Sequence, residues 1–186
     1  MAFKEYGNYD AVGLAELVRR KQVTPNELLD EAIARTAKVD PEINAVVVRH
    51  YDFAQRQIDK GLPDGPFTGV PFLLKDLDLL EGTRTTFGAS VFKDVIADRS
   101  GTLAQRFLNA GLTIFGKSSS PEFGLMPTTE PRLHGPTQIP GISRILPAAR
   151  PAARERRWPR ASSPSRMRAT AAGRSAFRPL RAACSV

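Results

Sequence analysis

The sequence predicts an α/β fold, a mixed sheet covered by helices, over residues 1–138, followed by a disordered tail rich in Arg, Ala and Pro over residues 139–186. Three observations carry this reading. Up to Gln138, stretches with helical apolar spacing alternate with short β-branched or aromatic runs across brief loops, the pattern of a parallel or mixed sheet with helices on it. Caps, Gly and Pro punctuate those stretches where elements should start and stop. Beyond Gln138 both periodicity and punctuation end.

Asp10 is a candidate cap for a helix with Val12, Leu14, Leu17 and Val18 as its apolar stripe. Thr24-Pro25-Asn26-Glu27 has the form of a capping box with Pro at the first helical position. Leu28, Leu29, Ala32 and Ile33 behind it predict a core-facing helix to about Ala37. Ala45 to Val48 predict a short strand, and residues 52–60 a helix stopped by Gly61. The apolar run 69–74 predicts a strand that ends abruptly in Lys75-Asp76. Residues 102–109 predict a helix with Leu103, Phe107 and Leu108 inside, closed by Gly111, and residues 112–115 a buried strand.

The net charge of +8 divides unevenly: residues 1–138 carry −2 and residues 139–186 carry +10. Of the last 48 residues, 22 are Arg or Ala and 12 are Pro or Ser, and Lys, Asp, Asn, Gln, Tyr and His do not occur there. Six prolines interrupt any helix that the Ala and Arg would form, and so few apolar side chains do not offset the entropy of ordering. No run of about 18 apolar residues is present, so no membrane span is expected. Residues 1–10 lack an apolar signal core, and the single Cys184 has no partner for an internal disulfide, so a cytoplasmic setting is expected.

Residues 69–138 resemble the amidase signature family. The resemblance rests on Gly69-Val70-Pro71-Phe72-Leu73-Leu74-Lys75-Asp76, on Gly82-Thr83 and Phe87-Gly88, and on Gly111 to Gly116 with Lys117-Ser118-Ser119-Ser120-Pro121-Glu122-Phe123-Gly124. Thr128-Thr129-Glu130-Pro131 and Gly135-Pro136-Thr137 complete it. The look is nearest to amidases that act on aminohexanoate oligomers, including cyclic dimers. The resemblance implies hydrolysis of a small-molecule amide by a Ser–cis-Ser–Lys triad, with no cofactor and no metal. A Ser hydroxyl attacks the amide carbonyl, and a second Ser relays its proton to a neutral Lys. By position that Lys is Lys75. A lysine in water titrates at about 10.4, so desolvation at the end of the apolar strand would have to bring Lys75 down.

The family continues after G-P-T with N-P-W, a Gly/Ser-rich stretch and D-G-G-G-S-I-R-I-P, whereas here Ile139-Pro140-Gly141 and the Arg/Ala tail follow. A single base lost after the Gln138 codon accounts for the difference. Codons for residues 147–154 then regroup to P-G-G-S-S-G-G-A, those for 166–173 to A-H-A-S-D-G-G-G, and those for 174–178 to S-I-R-I-P. In that frame the relay Ser falls where Arg150 stands and the nucleophile where Arg174 stands. Of the oxyanion glycines at 170–173 only Gly173 remains. The resemblance therefore implies a family amidase that is inactive as this chain stands.

Two other readings compete. The Arg-rich tail could bind nucleic acid or an anionic surface, although only Trp158 and Phe177 supply aromatics there. A hydrolase could instead use another Ser, but Ser118-Ser119-Ser120 have no base motif beside them and read as structure or substrate wall. Met126 is expected to line a substrate cleft by resemblance. His50 and His134 read as isolated, with no metal-ligand cluster, and residues 61–65 as a turn rather than a phosphate loop.

Overall fold

The computed structural model describes residues 3–139. Its elements are α1 (Ala11–Arg19), α2 (Pro25–Ile43), β1 (Val46–Arg49), α3 (Tyr51–Lys60), β2 (Pro71–Lys75), α4 (Thr102–Asn109) and β3 (Thr113–Ser118), with 3₁₀ turns at Lys4–Asn8, Ser90–Phe92 and Glu122–Gly124. The sheet is mixed, as expected. Its order is β1-β3-β2, with β1 antiparallel and β2 parallel to the central β3. The expected tail, and with it Arg150, Arg174 and Cys184, lies outside the described residues.

Local chemistry explains the helix starts. The Asp10 carboxylate accepts from Gly13 N at 2.7 Å and opens α1. Thr24 and Glu27 form the reciprocal capping box: Glu27 N donates to Thr24 Oγ1 at 3.2 Å and Thr24 N donates to Glu27 Oε2 at 2.9 Å. That bonding holds the Glu27 carboxyl below its usual range.

The structure corrects four expectations. Val12 is 63% exposed, because it lies two residues, about 200° around the helix, from the buried Leu14. Leu103 is 47% exposed; Ala104 is the residue that α4 buries, with Phe107 and Leu108 packed beside it. Helix α2 runs past Ala37 and through Pro41 to Ile43, ending where Asn44 takes a left-handed conformation, φ 53°. Strand β3 runs past Phe115 to Ser118 and is buried along its whole length.

Asp40 explains how α2 is joined to the sheet. Its buried carboxylate accepts from Ala45 N at 2.7 Å and Val46 N at 2.9 Å, and Arg49 Nη2 donates to it at 2.7 Å. One side chain near the helix end thus satisfies the first amides of β1. The main core packs α1 and α2 onto the sheet through Tyr6, Leu14, Leu28, Leu29, Ala32, Leu73 and Phe115. A smaller cluster, Leu74, Leu80, Ala104 and Ile114, lies under α4. No helix among the described residues is long and apolar enough to cross a membrane.

Asp40→Ala leaves two buried amides without an acceptor and removes one partner of the half-exposed Arg49, so it should lower unfolding free energy by about 3 kcal/mol in urea titrations. A loss below about 1 kcal/mol would show that water replaces the carboxylate.

Candidate active site

Parallel strands β2 and β3 end together, with Lys75 opposite Ser118. In open α/β sheets ligands bind at the carboxyl ends of such strands. Lys75 is the last residue of β2, and a turn begins there: Asp78 N donates to Lys75 O at 3.0 Å, and Asp76 N donates to Ser118 O at 3.0 Å.

The turn is held by buried polar side chains. Asp76 is 0% exposed, and its carboxylate accepts from Thr86 N at 3.0 Å, from Gly88 N at 3.4 Å and from the Thr86 hydroxyl. The same hydroxyl lies 2.9 Å from His134 Nε2. The neighbouring Thr85, also fully buried, accepts from Lys117 Nζ, which donates to the Asp78 carbonyl at 3.1 Å as well. Thr85 and Thr86 are adjacent, and their hydroxyls go to different partners: Thr85 to β3, Thr86 to Asp76 and His134.

Electrostatics follow from that burial. Desolvation lowers Lys117 from its ordinary 10.5 to about 8, against the opposing pull of Asp76 and Asp78. His50 is lowered to about 4 by burial and by the Lys117 charge, and neither ring nitrogen has a hydrogen-bond partner among the described residues. Burial also lowers His134, with Asp76 opposing and Arg84 adding to the shift. Burial raises the Asp78 carboxyl, against Lys117 and Lys75.

The wall beside this turn is aromatic. Phe87 and Phe123 both have left-handed backbones, φ 52° and 53°, unusual for bulky residues. Their rings stack at 6.5 Å, Phe123 N donates to Phe87 O at 2.8 Å, and Phe92 stands edge-on to both. Gly88 lets the two loops meet, because a Cβ there would lie 2.8 Å from Ser120 O. Met126, expected to line a cleft, is 61% exposed, next in sequence to Leu125 at 80%.

Two sequence expectations need correction. The end of β2 does not desolvate Lys75, which is exposed among the described residues; the lysine that the sheet buries is Lys117. Sequence reading missed Lys117 because it belongs to a polar-looking segment, Gly116-Lys117-Ser118, that β3 carries inside. His134 is not isolated but bonded to Thr86 and 3.9 Å from the Asp76 carboxylate. Ser118, Ser119 and Ser120 are buried, and their hydroxyls have no partner among the described residues. Those residues contain no cluster of three or more His, Cys, Asp or Glu suited to a metal.

Comparison with known proteins places this arrangement. Residues 27–145 match the family model described as Amidase. A 6-aminohexanoate-cyclic-dimer hydrolase from Paenarthrobacter ureafaciens is 40% identical over 134 residues, 70% of this chain and 27% of that protein. A solved structure of 6-aminohexanoate cyclic dimer hydrolase in complex with substrate superposes with a TM-score of 0.66 at 38% identity, over 70% of this chain and 27% of that one. A bacterial aryl acylamidase of the amidase signature enzymes superposes at 0.63 with 33% identity, over 70% and 29%. The fold is thus that of the first part of an amidase-signature α/β domain. The chain belongs to the amidase family, and it spans under a third of the length of the relatives it matches.

Two titrations test the buried groups. Between about 8 and the unfolded value of 10.5, unfolded Lys117 holds a proton that the folded form has released. Stability should therefore rise with pH across that window, and Lys117→Met should remove that rise, read as the wild-type minus variant difference. His50 acts with the same sign on the acid side. From pH 6.5 down to about 4 the unfolded state takes up a proton that the folded state refuses, so stability should fall there, and His50→Phe should flatten the fall.

Proposed function

We propose that the chain is the N-terminal part of a Ser–cis-Ser–Lys amidase whose reading frame is lost after Gln138, and that it hydrolyses no amide as it stands. The observation that supports the amidase part of this reading is Lys75 at the carboxyl end of β2, inside the family-matched segment, on a turn braced by Asp76, Thr86 and Lys117; the lost frame rests on the regrouped codons of residues 147–178. Residues 1–138 are then the in-frame part of the amidase domain, and 139–186 an out-of-frame tail.

In the intact frame, Lys75 is the general base. A Ser at the place of Arg150 passes to it the proton of a Ser at the place of Arg174, whose oxygen attacks the amide carbon. The tetrahedral intermediate collapses as the relay returns the proton to the departing amine nitrogen. Water then attacks the acyl carbon and gives a proton to Lys75 by the same relay; the relay returns that proton to the nucleophile oxygen as the acyl C–O bond breaks, and the carboxylic acid departs. Backbone N–H groups of the glycine loop hold the oxyanion. Exposed Lys75 becomes a competent base only when the downstream segment covers it and desolvation favours the neutral amine. The substrate class is a small amide, with linear or cyclic aminohexanoate oligomers the first candidates, because a relative of 40% identity carries that name.

The purified chain should turn over no aliphatic, aryl or aminohexanoate amide above background. Turnover that vanishes in Lys75→Ala would contradict the reading by revealing an intact triad.

Inserting one A between codons 138 and 139, and extending to the downstream stop, should restore an amidase that a fluorophosphonate labels once. Its kcat should fall on the acid side, and Lys75→Ala should cost at least about 10³-fold in kcat. A soluble restored protein that neither labels nor turns over small amides ends the assignment.

A further inference from the structure

We propose that Lys117 is a positioning residue for Lys75: from the central strand it ties down the turn that starts at Lys75 and so fixes where Lys75 leaves the sheet. The assignment of Lys75 as the base rests on the function proposed above; the clamp itself rests on geometry alone.

The connection is short. Asp78 donates its N–H to Lys75 O at 3.0 Å and accepts from Lys117 Nζ at 3.1 Å through its own carbonyl. A single residue therefore links the backbone of Lys75 to the ammonium of Lys117. The return arm of the loop is fixed at the same two places: Thr85 accepts from Lys117, and Thr86 donates to Asp76, the neighbour of Lys75. On its strand Lys117 pairs with Leu74 of β2 and Val48 of β1, and it is fully buried.

Its cost argues for a purpose. An ammonium in a fully buried strand loses its hydration, and an apolar side chain of similar length would fill the same space without that penalty. What an apolar residue could not do is bond a carbonyl and a hydroxyl of the turn at once. The charged groups acting on Lys117 are Asp76 and Asp78 from that turn, and its own charge acts on His50 at the start of α3. The Asp78 carboxyl feels the charge of both lysines.

The test uses the full 186-residue chain with ¹³Cε-labelled lysine and amide hydrogen exchange, comparing Lys117→Met, Lys117→Arg and Thr85→Val. In the unmodified chain one lysine signal should titrate near 8, and it should be absent in Lys117→Met. Thr85→Val keeps the lysine and removes one acceptor, so it tests the clamp even if Lys117→Met folds poorly. In Thr85→Val and Lys117→Met the amides of Asp78, Thr86 and Gly88 should exchange at least about tenfold faster, as expected for one lost charged hydrogen bond. The Lys75 ε signal should move, while the amides of α2 stay within about twofold. Lys117→Arg should recover part of the local protection.

In the frame-restored enzyme, Lys117→Met should lower kcat about 10- to 100-fold with little change in KM, and shift the acid limb that reports Lys75. Exchange that rises equally in α2 and the turn would make Lys117 a general stability residue and overturn the proposal. So would an unchanged turn with an unmoved Lys75 signal. An inactive restored enzyme whose parent chain still shows the local exchange pattern would refute the amidase reading and leave the clamp standing.

Discussion

The structure depends on a solvation constraint: the central strand carries an ammonium that water does not reach. Lys117 is 0% exposed, and its charge is met by the Asp78 carbonyl and the Thr85 hydroxyl, both from the segment after β2. A buried cation with fewer partners is strongly destabilising, so the chain after β2 has to fold back across the sheet end. Once it does, Asp76 is enclosed and needs donors, which Thr86 and Gly88 supply. The site's architecture then follows from satisfying one group after another. The catalytic candidate Lys75 sits at the margin of this network, exposed, with its backbone held and its charge felt by the Asp78 carboxyl.

Where element signals are local, the sequence was legible. The Asp10 cap, the Thr24–Glu27 box, the limits of α4 and the strand before Lys75 each depend on residues within a few positions of one another, and each is found in place. Local patterns failed where a distant partner decided the outcome. The end of α2 was missed for a nearer reason: expected at about Ala37, it falls at Ile43, where Asn44 takes the left-handed conformation that turns the chain. Gly116-Lys117-Ser118 reads as the polar end of a strand, yet β3 continues because the partners of Lys117 come from residues 78 and 85. His134 looks alone in a sequence that separates it by 48 residues from Thr86. Lys75 was singled out by motif resemblance, whereas its exposure and the burial of Lys117 are properties of topology.

The sheet is open on both sides among the described residues. β1 and β2 each pair only with β3, and unpaired strand edges in a short sheet favour association with other chains. Leu125, Met126, Val91 and Ile96 add exposed apolar surface near the aromatic wall. A family domain that continues past this point would cover such surface, which fits a chain spanning 27% of a relative's length. Handling the chain as an isolated protein therefore calls for dilute conditions and checks for self-association.

The closure around Asn44 has a kinetic meaning. Its side chain donates to the carbonyls of His134 and Pro136, and its own carbonyl accepts from the Thr137 hydroxyl; sequence separations are 90, 92 and 93 residues. Gln138 N adds a bond to Ile43 O. Contacts so remote along the chain require most of the loop entropy to be lost before they form. The seam cannot form until residues 134–138 have emerged from the ribosome, and the helices and local turns can assemble well before that. By the same accounting the seam is an early place to open. Because His134 belongs to it, fraying there would release the imidazole from Thr86 and let water in toward Asp76, without unfolding a single helix.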